Sequence, residues 1–160
     1  MKSARDLAAP GLLGVARVAL GLLWLHEGYV KFHAGFGRSD ILLVADGAGT
    51  NPRIPGFFAF FADHLLRPMA EVAGVAVPLI EVGLGVALIL GIFTLPVALG
   101  SLLNLMTYWS SDQLVGQYPV MGAVSGVLIA WPALASRLSL PSVVKARRSR
   151  SGADEEPVNA

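Results

Sequence analysis

Arg17, His26, Glu27 and Lys31 fall inside a run that is otherwise apolar enough to cross a bilayer, Arg17-Val-Ala-Leu-Gly-Leu-Leu-Trp-Leu-His-Glu-Gly-Tyr-Val-Lys-Phe32. A charge at the centre of a bilayer costs at least ~2.5 kcal/mol, so such groups persist when paired or when facing a protein interior or a wet cavity. Ion pairing and proton acceptance by a buried carboxylate are the chemistries these residue types offer. Arg17, Trp24 and Lys31 recur every seven residues and share one helical face, with Glu27 beside it and His26 on roughly the opposite side. Glu27 precedes Lys31 by four, the favourable order for an intrahelical ion pair.

Two more carboxylates, Glu71 and Glu81, lie in a second apolar run. Counted along the helix axes, Arg17 is ~9 Å and Glu81 ~15 Å from the same membrane edge at 1.5 Å per residue. An arginine side chain spans that difference, so the sequence predicts an Arg17–Glu81 pair. It either fixes helix register and neutralises two charges or handles protons or substrate. At the opposite edge His26, Glu27, Lys31, His64 and Glu71 form a candidate polar cluster for a ligand or a proton, with His33 nearby. Glu71 at a helix start also gains from the helix dipole, and loop or interfacial positions account for His33 and His64. Asn104, in the middle of a third apolar run, reads as an interhelical hydrogen-bonding group. No HxxxH or HExxH spacing puts two ligands on one helical face, and His26 and His33 are ~10 Å apart along an axis, so no metal site is predicted.

The elements that must position these residues follow from composition. Of 160 residues 54% are hydrophobic and 14% charged, with a mean hydropathy of +0.64, too few charges to cover a water-soluble globule. The net charge of +1 gives a nucleic-acid partner no electrostatic support, and the absence of cysteine removes disulfide, thiol and iron–sulfur chemistry. The pattern predicts an all-α integral membrane protein, a four-helix antiparallel bundle with spans at about 11–31, 69–91, 94–110 and 119–136. Residues 1–10 form an N-terminal segment before a retained first helix rather than a cleaved signal. The loop 32–68 opens with turn-rich polar sequence around Ile41–Val44, a piece too short to span. From Pro55 it continues as a short interfacial helix carrying Phe57, Phe58 and Phe61, with Asp63 and Arg67 one turn apart. Pro132 is predicted to kink the fourth helix, and 137–160 is a basic, disordered tail.

Lys and Arg crowd the termini, which predicts both termini in the cytoplasm and the 32–68 loop outside; the expected location is a bacterial-type cytoplasmic membrane. Gly83-Ala87-Gly91 and Gly122-Gly126 are small-residue ladders suited to close helix packing, within one bundle or across a homo-oligomer.

The combination Arg17…Gly21…Gly28-x-x-Lys31, Pro78-Leu-Ile-Glu-Val-Gly-Leu-Gly85 and Leu88-Ile-Leu-Gly-Ile-Phe-Thr94 resembles the DoxX-like family of small four-span membrane proteins, over about residues 12–130. Many relatives carry a basic residue just after that threonine, where this chain has Leu95 and Pro96. The resemblance implies a link to membrane oxidoreductases, including the small subunit of thiosulfate:quinone oxidoreductase, and matches Arg17, Lys31 and Glu81 to the polar positions of the family pattern. The expected function is a quinone-linked subunit or anchor of a membrane oxidoreductase complex, with no intrinsic cofactor, quinone as its ligand, and lipids and a protein partner around it. A non-catalytic scaffold that docks a partner or lipid is the alternative, and small-molecule transport the third.

Overall fold

The computed structural model describes residues 4–142, and it is helical throughout, with no strand among the described residues. Most of the tail read over 137–160 lies outside them, as do residues 1–3. Helix α1 covers Ala4–His33, α2 Arg38–Thr50 and α3 Gly56–Phe61, the last running on as a π-helical turn over Ala62–Leu66. Then follow α4 (Ala70–Leu90), α5 (Thr94–Ser110), α6 (Tyr118–Ala130) and a short turn, α7 (Pro132–Ala135). Two stretches, Ala8–His33 and Ala70–Leu90, are long and apolar enough to cross a membrane.

The tightest packing is α1 against α4, and glycine makes it possible. A Cβ on Gly85 would sit 2.8 Å from the Gly21 carbonyl oxygen, and one on Gly21 would sit 2.8 Å from that of Gly85. The helices therefore touch backbone to backbone, where dispersion between closely apposed chains holds them. One heptad further on, Gly28 meets Pro78 and Val82, so numbering rises on α1 as it falls on α4 and the pair is antiparallel. The small residues singled out from sequence are not the ones that make this contact. Gly83, Gly122 and Gly126 have nothing within 4 Å of a built Cβ.

Helix α4 ends at Gly91, in the left-handed region at φ 71°, with the Ile92 amide donating back to the Ala87 carbonyl at 3.0 Å. That six-to-one bond is a Schellman stop, and it turns the chain directly into α5. Helices α5 and α6 pack on each other and close on α4 and α1 respectively. The core between them holds Leu20, Trp24, Leu88, Leu105, Met121 and Leu128. Trp24 is fully buried, and its indole N–H donates to Ser101 Oγ at 2.7 Å, which in turn meets Ser125 Oγ at 2.8 Å. It is a core residue joining three helices, whereas Trp109 is exposed. Outward faces of the long helices are apolar (Leu12, Leu22, Val75, Leu79, Leu103, Val120), as lipid contact requires.

The segment read from sequence as a turn-rich loop contains a 13-residue helix, α2. Asp40 opens it by accepting the Gly37 amide at 2.9 Å, and Ile41, Ala45 and Ala48 line its buried face. Phe58 and Ala62 cover those alanines. Arg67 ties this layer together, donating to Asp63 at 3.1 Å and reaching Asp46 at 2.8 Å, and both carboxylates hold its guanidinium above its ordinary range.

Candidate functional site

The antiparallel α1–α4 register decides which charges can meet. Glu81 lies on α4 between Pro78 and Val82, the residues that flank Gly28, so it is level with Glu27 and Lys31. Arg17 is level with Gly91 instead, eleven residues or ~16 Å away along α1. The predicted Arg17–Glu81 pair is therefore corrected. Arg17, 2% exposed, donates from Nη1 to the Ala135 carbonyl at 3.0 Å and from Nη2 to that of Leu138 at 2.9 Å. The carbonyl of Ala135, which closes α7, and that of Leu138 beyond it thus take the place of a carboxylate. Gly91 leaves the guanidinium room, since a Cβ there would fall 2.1 Å from Nη1.

Glu81, with no exposure at all, belongs to a second centre near the other end of the bundle. Its Oε1 accepts from Lys31 Nζ at 2.5 Å and from the Tyr108 hydroxyl at 2.5 Å. Lys31 also stands 3.6 Å from Glu27 Oε2 and 4.9 Å from the centroid of the Tyr108 ring. Glu27 accepts from the Gln117 amide on Oε1, and from the Tyr118 hydroxyl on Oε2 at 3.1 Å. The rings of Tyr108 and Tyr118 stack at 5.4 Å. Glu81 Oε2 and Asn104 Nδ2 are buried with no partner among the described residues, and Asn104 is one turn before Tyr108 on α5. One cluster thus draws on α1, α4, α5 and the start of α6.

Of the predicted edge cluster, the structure brings together only Glu27 and Lys31. His26 points outward on the far face of α1. Glu71 is 84% exposed and 3.8 Å from Arg38, a surface pair of little energy. His64 is exposed, stacked on Phe60 at 4.1 Å with Nδ1 3.0 Å from the Phe60 carbonyl oxygen. His33 lies tilted over Tyr29 at 3.8 Å, with Nδ1 3.1 Å from the Tyr29 carbonyl oxygen. Among the described residues no three His, Asp or Glu side chains converge as metal ligands would.

Sequence reasoning missed Tyr108, Gln117 and Tyr118. Tyr108 falls inside the predicted third span and Gln117 and Tyr118 in the gap before the fourth, although the four-residue step from Asn104 to Tyr108 marks a polar stripe on one face of α5.

Beside the cluster, α5, α6 and their connection enclose an apolar groove of about 550 Å³. Leu102, Leu105, Trp109, Gln113, Tyr118 and Gly122 are among its lining residues. Tyr118 is shared: its side chain borders the groove while its hydroxyl holds Glu27.

The described residues are helical, with apolar outer faces, a buried polar cluster and two helices long and apolar enough to cross a membrane, features that suit a membrane protein. The DoxX family profile matches residues 12–111, and the chain belongs to that family. No curated protein and no solved structure matches it.

Proposed function

We propose that the protein is a quinone-linked subunit or anchor of a membrane oxidoreductase complex. In this reading α1, α4, α5 and α6 cross the bilayer as a four-span antiparallel bundle, α3 lies at the outer interface, and both termini are cytoplasmic. The observation that carries the proposal is the adjacency of the α5–α6 groove to the Glu27 cluster through Tyr118. A quinone needs an apolar slot for its tail and a few fixed polar groups at its head, and ligand pockets of this size are built that way. Gln113 and Tyr118 supply the polar groups. Electrons come from or go to a partner subunit, since the chain has no motif for a flavin, a nicotinamide or an iron–sulfur cluster.

Quinone binding is tested through Trp109, which lines the groove. A short-chain quinone added to protein in lipid nanodiscs should quench tryptophan fluorescence saturably, and Trp109→Phe should remove most of the quenching. Gly122→Leu, which fills the groove from α6, should weaken binding at least tenfold. Quenching that rises linearly with quinone and is the same in both variants would rule the groove out as the site.

One observation favours the scaffold alternative. Phe57 and Phe60 are 68% and 64% exposed on α3, an apolar surface that a partner protein or the lipid interface would cover.

A further inference from the structure

The cluster around Glu81 has a charge imbalance that its hydrogen bonds do not remove. Two carboxyls, Glu27 and Glu81, face one ammonium, Lys31. The other groups turned toward them are neutral: the Tyr108 hydroxyl from α5, and the Gln117 amide and Tyr118 hydroxyl from the start of α6. Among the described residues no further charged side chain is bonded to this set, so with both carboxyls ionised one negative charge would be uncompensated. Glu81 has no exposure, and the Glu27 and Lys31 side chains are 11% and 14% exposed. An unbalanced charge is far costlier in such surroundings than a neutral group.

The bonding also indicates where the balance is restored. Both oxygens of Glu27 and one of Glu81 accept from donors, while Glu81 Oε2 is buried with none. A proton there displaces no existing bond, and an unpartnered neutral O–H is cheaper to bury than an unpartnered share of a carboxylate charge. Across the cluster the proton is common to the two carboxyls, because Lys31 touches both and compensates whichever is ionised.

We infer that this cluster is a proton-storing site, holding at neutral pH one exchangeable proton shared by Glu27 and Glu81. The storage stands on the charge count and the geometry alone; only its use rests on the quinone reading. In that use, Tyr118 passes its phenolic proton to a ligand oxygen that has gained negative charge, and takes one back from Glu27. One carboxyl O–H bond breaks, one ligand O–H bond forms, and no electron moves in the step.

Infrared spectroscopy of the full-length protein in nanodiscs tests the inference without any quinone. At neutral pH in low sodium, the wild type should show a protonated-carboxyl stretch that shifts in deuterated water. Glu27→Gln and Glu81→Gln should each abolish it completely, because either leaves one carboxylate matched to one ammonium. Lys31→Met should enlarge it, since two carboxyls then need protons. A wild-type spectrum without the band overturns the inference whatever the variants do, and stabilisation by added sodium in that case assigns the site to a monovalent cation. A band unchanged in both glutamine variants belongs to other carboxyls and overturns it as well. A band that behaves as expected, together with no quinone binding at Trp109, keeps the proton site and removes the quinone.

Discussion

Arg17 and Glu81 are both buried charges, but they are satisfied in different ways. Glu81 is held by one ammonium and one hydroxyl, whereas Arg17 is held by two main-chain carbonyls. Hydrogen bonds from a charged donor contribute ~1.5–3 kcal/mol each. Arg17→Ala should therefore lower stability by ~3 kcal/mol and loosen the chain around Ala135–Leu138, read as a lower melting temperature and as faster proteolysis there. Arg17→Lys, keeping the charge but losing the fork, should recover only part of the loss. Both residues stand out in the sequence as charges within apolar runs, and both are buried and hydrogen-bonded in the structure. Their partners were not legible from depth counted inward from a presumed membrane edge. That count ignores where α1 and α4 touch, and the contact depends on which glycines face each other, Gly21 with Gly85 rather than Gly83 with Ala87 and Gly91.

The helices themselves were read unequally well. Long apolar runs made α1 and α4 plain, because each is long and apolar enough to cross a membrane. Helix α2 was hidden because it carries Gly47, Gly49, Asp40 and Asp46, poor helix formers, and buries alanines that give a faint periodicity. Its packing on Phe58, Ala62 and the start of α4 stabilises it enough to form. The glycine contrast yields a test at this scale. Gly85→Val drives a side chain into Leu25 and the Gly21 carbonyl, both under 3 Å from the new Cβ, and should destabilise by ~2 kcal/mol or more. Gly126→Val meets open space and should change chemical-denaturation stability by no more than ~0.5 kcal/mol. A large loss at Gly126, with a change in particle mass by light scattering, would place a second copy of the chain on that face of α6.

At the scale of the whole molecule, the α2–α3 layer is joined to the long helices at a few points. Gly74 lets the start of α2 lie against α4, with a built Cβ only 2.5 Å from Gly37. Across the other side, Asp112 receives Arg53 at 3.0 Å and Asn51 at 2.9 Å. Asp112 has φ 61°, so glycine preserves the turn while removing both bonds. Asp112→Gly should leave the long helices intact and lower hydrogen-exchange protection over Asn51–Phe58 by about tenfold, the equivalent of ~1.4 kcal/mol of local opening. Equal loss of protection across α4 and α5 would mean instead that the layer and the core unfold together.

The grip of Arg17 on Ala135 and Leu138 also has a history in time. Its acceptors are made 118 residues after it, whereas Lys31 waits only 50 residues for Glu81. At a ribosomal pace of ~5–20 residues per second, the guanidinium lacks its native acceptors for on the order of ten seconds. The Arg17 end of α1 is thus locked long after its Lys31 end, and the nascent chain stays open there until Ala135 and Leu138 have been made.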